Sequence, residues 1–201
     1  MAKTVPHIVQ YQGSKRILAP KILEYFPHRF ARLIEPFSGM AAITMAVAQQ
    51  HRAQKYYLND LNTPLVEILR EAVETPDILI AEYEKVWKEQ LSFNEGSVAH
   101  FYKVREEFNQ GNKTAANMLY LLARCVKGSV RYSSAGMFNQ SPDKRRKGTS
   151  PLTLAKNIYQ ISAMLKGKAE FTSMDYRKVL EQAVPGDLVY MDPPYQGVCN
   201  S

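Results

Sequence analysis

The chain has no apolar run long enough to cross a bilayer as a helix, so a membrane-spanning segment is not expected within its 201 residues. Met1 to Val9 lacks the apolar core of a secretory signal, which points to an intracellular, cytoplasmic setting. Cysteine is nearly absent: Cys125 and Cys199 are the two present, at no metal-like spacing. That argues against a disulfide framework and a cysteine zinc site, and both side chains are expected as free thiols. There is no internal repeat and no low-complexity tract. A G-x-G-x-x-G fingerprint is missing, and so is a P-loop lysine pattern, which argues against nucleotide hydrolysis. Acidic residues are in deficit, 19 against 26 basic ones, for a net charge of +7. This length holds one sizeable core, or one domain carrying an insertion.

The basic excess is concentrated. Between Arg124 and Lys147, seven basic residues (Arg124, Lys127, Arg131, Lys144, Arg145, Arg146 and Lys147) stand against Asp143 alone, a net of +6 in 24 residues. A solvated charged loop is the ordinary explanation of such a run. Tyr132 and Phe138, interleaved with it, favour contact with a phosphate backbone.

Strand signals recur four times: 31–35 stopped by Pro36, 55–58 stopped by Asn59-Asp60, 169–174 stopped by Asp175, and 188–191. Helical patterns follow the first three, which predicts an α/β fold with a parallel sheet and right-handed crossovers. Helices are predicted over 17–25, 40–50, 64–74 with Thr63 as N-cap, 77–91, 97–109, 114–126, and 151–166 closed by Gly167. In 97–109, Val98, Phe101, Tyr102, Arg105 and Phe108 recur at helical spacing and are expected to pack in the core. From 127 to 150 the periodicity fails. Arg131-Tyr132 and Met137-Phe138 read there as arms of a β-hairpin turning at Ser134-Ala135-Gly136. The expected organisation is a sheet domain from 1–62 and 151–201, interrupted between its second and third strands by a mainly helical insertion, 63–150. That insertion is the expected substrate module.

Ligands of open parallel sheets sit at the carboxyl ends of the strands. Those ends carry Glu35-Pro36-Phe37-Ser38-Gly39, Asn59-Asp60, Asp175-Tyr176 and Asp192-Pro193-Pro194-Tyr195. Gly39 lies where the chain must turn tightly beside a ligand. Asp60 follows it by 21 residues, the offset at which an acid reaches a ribose diol. Asp60 read alone is also a helix cap, and Asp175 is either a turn acid or an acceptor for an adenine amino group with Tyr176 beside the ring. Tyr11-Gln12-Gly13-Ser14-Lys15 forms a glycine turn flanked by an aromatic and a lysine, which suits a carboxylate-bearing cofactor as well as an ordinary surface.

The tetrapeptide at 192–195 is the most specific of these. Pro193 has no N–H and holds Asp192 extended, so the carbonyls here are free and rigidly aimed. An aromatic amine is a weak nucleophile because its lone pair is delocalised into the ring. The Asp192 carboxylate and the Pro193 carbonyl can accept its two N–H groups and draw it toward tetrahedral geometry, while Tyr195 stacks on the base. A base used this way must leave the duplex stack. The carboxylates stand singly at strand ends, so no metal site is expected.

With these pieces in order, the chain resembles the Dam-type (D12 class) DNA adenine N6-methyltransferases. The resemblance covers residue 9 to about 196 and rests on Tyr11-Gln12-Gly13-Ser14-Lys15, Glu35-Pro36-Phe37-Ser38-Gly39, Leu58-Asn59-Asp60, Phe101-Tyr102 with Arg105, Arg131-Tyr132 with Gly136-Met137-Phe138-Asn139, and Asp192-Pro193-Pro194-Tyr195. It implies a Rossmann-like class I methyltransferase sheet, S-adenosylmethionine as cofactor, and methyl transfer to adenine in double-stranded DNA. Tyr11, Lys15, Phe37, Gly39, Asp60, Asp175, Tyr176 and Asp192 would hold the cofactor. Asp192, Pro193, Pro194 and Tyr195 would act on the base, and Arg131, Tyr132 and Asn139 would belong to a DNA-reading hairpin. Lys127, Arg145 and Arg146 are basic candidates for the same DNA. Ser14 and Ala41 replace glycines frequent in the family.

The family continues well past its Asp-Pro-Pro-Tyr, whereas six residues follow Tyr195 here. The sheet is therefore expected to be incomplete on its C-terminal side, with the fourth strand at an edge and a complementing C-terminal chain among the partners. A restriction endonuclease is another expected partner. Two alternatives remain open: a remnant that binds DNA or a partner chain without catalysis, and methylation of an RNA base or a protein amide.

Overall fold

The computed structural model describes residues 4–194. Strands end where the sequence can no longer supply a ladder: at Pro36, at the polar pair Asn59-Asp60, and before Asp175. β1 (Phe30–Glu35), β2 (Ala53–Asn59), β3 (Ala169–Thr172) and β4 (Asp187–Val189) form a parallel sheet in the order β3-β2-β1-β4. The registers pair Glu35 with Leu58, Ile34 with Val189 and Asn59 with Thr172. They bring the carboxyl ends of all four strands to one rim. A hydrogen bond of 2.9 Å from the Tyr190 N–H to the Ile34 carbonyl carries β4 toward Asp192. Arg32 clamps this strand from β1 through Nε and Nη2, at 3.3 and 2.6 Å from the two Asp187 oxygens.

α1 (Ala19–Ile22) precedes the sheet, and α2 (Ala42–Gln49) connects β1 to β2. α3 (Thr63–Glu74), α4 (Pro76–Ser92), α5 (Gly96–Asn109), α6 (Ala115–Arg124) and α7 (Pro151–Leu165) lie between β2 and β3, and α8 (Tyr176–Leu180) precedes β4. Side chains alternate across a strand. Leu33 therefore joins the large core while its neighbour Ile34 packs with Tyr57 and Val179 in a second, smaller cluster. The large core is continuous: Met45 and Leu58 share it with Leu69, Phe101 and Leu121 of α3, α5 and α6 and with Ile158 of α7. Among the described residues no helix is long and apolar enough to cross a membrane.

The parallel sheet, and Gly167 with φ +72° just past α7, agree with the sequence reading. Other expectations need correction. The helix over 17–25 is replaced by a 3-10 turn at Lys15–Ile17, α1, and a second 3-10 turn at Leu23–Tyr25. Pro20 cannot donate to a helix begun at Ile17, and Ile17, Leu18 and Tyr25 are exposed. The cap of α3 is Asn62, whose carbonyl accepts from Leu65 and Val66. The Thr63 hydroxyl instead meets Ser173 Oγ at 2.9 Å.

On α5 the buried face is Phe101, Val104 and Phe108, with Val98 only half-buried. Tyr102 is exposed, and the Arg105 guanidinium stacks 4.7 Å from its ring centre. A guanidinium on an aromatic face keeps both groups half-solvated, which the helical period alone does not reveal. Arg124 also departs from expectation. It is buried, donating from Nη1 to the Asp143 carbonyl and from Nη2 to the Ser97 carbonyl, and so does not belong to the basic surface. Cys125 is a buried free thiol, pushed up to about 11 by that burial. Cys199 lies outside the described residues.

Candidate active site

The four strand ends converge as the sequence predicts, and Asn59 holds three of them in place. Its side-chain amide donates to the Pro36 carbonyl at 3.0 Å and the Met174 carbonyl at 2.9 Å, and its oxygen accepts from Thr172 Oγ1 and the Met174 N–H, both at 2.9 Å. These four bonds use the full capacity of a carboxamide, and the side chain is buried. The turn after β1 is thereby tied to the turn after β3.

The first turn is strained and tightly packed. Gly39 has φ +51° and Ala41, at the mouth of α2, φ +55°. A Cβ on Gly39 would lie 3.1 Å from the Tyr11 ring, so any side chain here would push that ring back and add strain at a left-handed φ. The Gly39 N–H donates to one Asp60 oxygen and the Asn62 N–H to the other, each at 2.9 Å. Asp60 therefore binds two turns at once, instead of capping α3 directly. Burial raises its carboxyl above the ordinary range, against the pull of those two N–H groups. Tyr11 is pushed up to about 12, mainly by burial and then by the nearby Asp60. Ser38 Oγ is buried and has no hydrogen-bond partner among the described residues. A buried hydroxyl without a protein partner is a group that a ligand atom or a water can satisfy.

Phe37 and Tyr176 face each other with ring centres 5.2 Å apart, at the rim between β1 and β3. Asp175 caps α8, accepting from the Arg177 N–H at 2.9 Å. The turn at Gly13, with φ +85°, carries Lys15 to an ion pair with the Asp192 carboxylate. Lys15 Nζ also donates to the Gly13 carbonyl at 3.4 Å. Pro193 and Pro194 are exposed at the same rim, whereas Tyr195 lies outside the described residues.

Glu35 stands in a strand-end motif, but the sequence alone gives it no role. It is fully buried at the end of β1 and accepts from both the backbone N–H and the hydroxyl of Thr44 in α2. Burial pushes its carboxyl up to about 7, opposed by the Thr44 bonds and assisted by the charge of Asp192. A raised acid binds its proton more tightly when folded, so stability is highest below about pH 4.5 for this group and declines as pH rises toward 7. Glu35→Gln should abolish that decline. Urea midpoints of parent and variant at about pH 5 and about pH 8 measure it, and an equal decline in both would refute the assignment. The signal for Glu35, Ser38 and Asn59 was their place in strand-end motifs. Their solitude, burial and bond counts are tertiary facts.

The hairpin forms as expected. Tyr132 pairs with Phe138, Ser133 N–H donates to Met137 O at 2.8 Å, Asn139 N–H to Arg131 O at 2.8 Å, and Gly136 turns with φ +72°. Asn109 of α5 holds it from below, exchanging hydrogen bonds with the Phe138 N–H and carbonyl at 2.8 and 3.1 Å. Arg131, Tyr132 and Asn139 are exposed on it, and Lys127 is exposed before it. Arg145 and Arg146 are exposed too, but both pair with Asp143, at 3.8 and 3.4 Å. Arg146 also reaches Gln10 Oε1 at 3.3 Å. A groove of about 680 Å³ separates the hairpin from the β2–α3 turn, lined by Asp60, Asn62, Phe108, Tyr132 and Gly136 among others. No group of three or more His, Cys, Asp or Glu residues able to hold a metal occurs among the described residues.

Known proteins resemble this chain along most of its length. The D12 class N6 adenine-specific DNA methyltransferase family matches residues 11–200. A DNA N-6-adenine-methyltransferase of Escherichia phage P1 is 30% identical over 200 residues, covering 96% of this chain and 24% of its own length. The type II methyltransferase M1.LlaDCHI of Lactococcus lactis subsp. cremoris is 30% identical over 195 residues, covering 92% and 64%. The type II methyltransferase M.MjaIII of Methanocaldococcus jannaschii is 28% identical over 204 residues, covering 96% and 70%. The chain thus spans from a quarter to about two thirds of the length of these relatives.

Proposed function

Because this chain belongs to the D12 class of N6 adenine-specific DNA methyltransferases, we propose that it transfers a methyl group from S-adenosylmethionine to the N6 amine of adenine in double-stranded DNA. The sheet order β3-β2-β1-β4 is that of a Rossmann-like fold. The observation that carries the reading is the ion pair of Asp192, just past β4, with Lys15, on the sheet whose neighbouring strands β1 and β2 end in turns that Asp60 joins through the Gly39 N–H.

The residues present fit the cofactor: Ser38 offers an orphaned hydroxyl, Gly39 brings bare backbone close to the Tyr11 ring, and Asp60 presents a half-buried carboxylate. In this reading Asp60 takes the ribose, Phe37, Asp175 and Tyr176 flank the adenine, Tyr11 covers the turn, and Lys15 takes the carboxylate. When bound, the cofactor supplies an electrophilic methyl group. The Asp192 carboxylate and the Pro193 carbonyl accept the two N–H groups of the target amine, which localises its lone pair. Pro194 keeps those acceptors aimed, and Tyr195 is assigned to stacking on the extruded base. Lys15 must turn away from Asp192 for the amine to reach it, which couples cofactor capture to exposure of the acid.

Residues 1–62 and 151–201 are assigned to catalysis and 63–150 to target recognition, with Lys127, Arg131, Tyr132, Asn139, Arg145 and Arg146 on DNA. Two partners are added to the proposal. One is a restriction endonuclease of matching specificity. The other is a chain that pairs with β4, which among the described strands is paired on one side only. Neutralising Arg145 and Arg146 together should weaken binding to all sequences alike and reduce the slope of log K against log salt by about 1 to 2. An unchanged slope in a fluorescence titration across salt concentrations would remove this segment from the interface.

The direct test is transfer of labelled methyl from S-adenosylmethionine to unmethylated genomic DNA, followed by digestion to nucleosides. Label in N6-methyladenine supports the reading. Label in another base or in RNA overturns its substrate, and tight cofactor and DNA binding without transfer favours a binding role.

A further inference from the structure

The hairpin and the cofactor turn are joined by a short chain of hydrogen bonds. Tyr132, on the hairpin, donates its hydroxyl to Asn62 Oδ1 at 3.2 Å. The Asn62 N–H donates to one Asp60 oxygen, and the other Asp60 oxygen accepts from Gly39. The first bond crosses the groove of about 680 Å³ that otherwise separates the two elements. Beneath it, α5 grips the far arm of the hairpin, through Asn109 on Phe138 and Arg105 on the Gln140 carbonyl. The near arm, Arg131–Tyr132, is tied to the strand ends through Asn62.

We propose that Asn62 is a positioning residue that couples the cofactor acid to the DNA-facing hairpin. This rests on the function proposed above. A ligand on Asp60 draws on the carboxylate that orders the Asn62 backbone, and the Asn62 side chain transmits that order to Tyr132. Cofactor and DNA then favour each other's binding, because a coupling between two sites acts equally in both directions. The link is a contiguous set of contacts in which each member has a stated partner, the physical requirement for such coupling.

The test is hydrogen exchange of the Ser133, Phe138 and Asn139 amides with and without S-adenosylhomocysteine. In the parent chain the analogue should slow their exchange by about fivefold, the scale of one net hydrogen bond. Tyr132→Phe, which keeps the ring, and Asn62→Ala should each abolish the slowing, and the pair together should do no more than either alone. Asn62→Asp, which keeps the acceptor, should restore it. DNA affinity for a mixed-sequence duplex should rise by the same factor on adding the analogue to the parent, and should not in Tyr132→Phe. If the analogue binds and the hairpin amides respond equally in parent and Tyr132→Phe, or in neither, the coupling is overturned while the functional reading stands. If the analogue does not bind the parent chain, the functional reading and the coupling fall together.

Discussion

Asp192→Ala is expected to lower methyl transfer by about a thousandfold or more, with the fold left intact. A preorganised polar group aimed at charge that develops in the transition state is worth about 10²–10³ in rate. The same substitution should hardly touch stability. The side chain is about a quarter exposed, and a solvent-accessible ion pair contributes roughly 0–1 kcal/mol. The Tm should therefore move by no more than about 3 °C in a chain of this size. Single-turnover transfer and a melting curve on the same preparation check both halves. Transfer within about tenfold of the parent would take Asp192 out of the chemistry.

The second large effect is expected in stability. Gly128→Ala should cost about 3 kcal/mol, a fall in Tm of roughly 6–12 °C. Gly128 has φ +58°, and a Cβ there would sit 2.2 Å from the Gln10 carbonyl oxygen and 2.9 Å from its carbon. Both are backbone atoms and cannot rotate aside. The Gln12 N–H donates to the Gly128 carbonyl at 2.9 Å, so the methyl pushes apart two segments that are also bonded together. Tyr11 lies between those contacts and packs on Gly39, so cofactor KM should rise before kcat changes. Gly136→Ala is the control. It has φ +72° but open space around the added methyl, and should cost only about 1 kcal/mol. Equal losses for the two variants would mean that the Gln10–Gly128 approach is not what requires glycine.

Much of the site was legible because its signals are local. An apolar run that stops at a proline or an acid marks a strand end, and parallel strands bring their carboxyl ends to one rim. Asp60, Gly39 and Asp192 were identified in that way, and the structure brings each of them there. The hairpin was readable from its glycine and its spacing, and it turns at Gly136 as expected. Tyr102 and Arg105 depart from the expected core because helical period identifies a face without saying what lies opposite it. Arg124 departs from the expected basic surface because charge in a sequence carries no depth. In the fold its guanidinium meets two backbone carbonyls, which makes burial tolerable without an acid.

The sequence by itself determined the alternation of strands and helices, the carboxylates that leave the strand ends, and the concentration of positive charge in one segment. These follow from backbone preference and side-chain chemistry, which act over a few residues. Only the tertiary structure decided that Asn59 would hold three strand ends together, that Glu35 would be an acid with a raised affinity for its proton, and that Asn62 would reach Tyr132 across a groove. The partners in those contacts lie between 9 and 115 residues apart along the chain. No local preference spans such separations. They are set by how the sheet, the inserted helices and the hairpin close around one core.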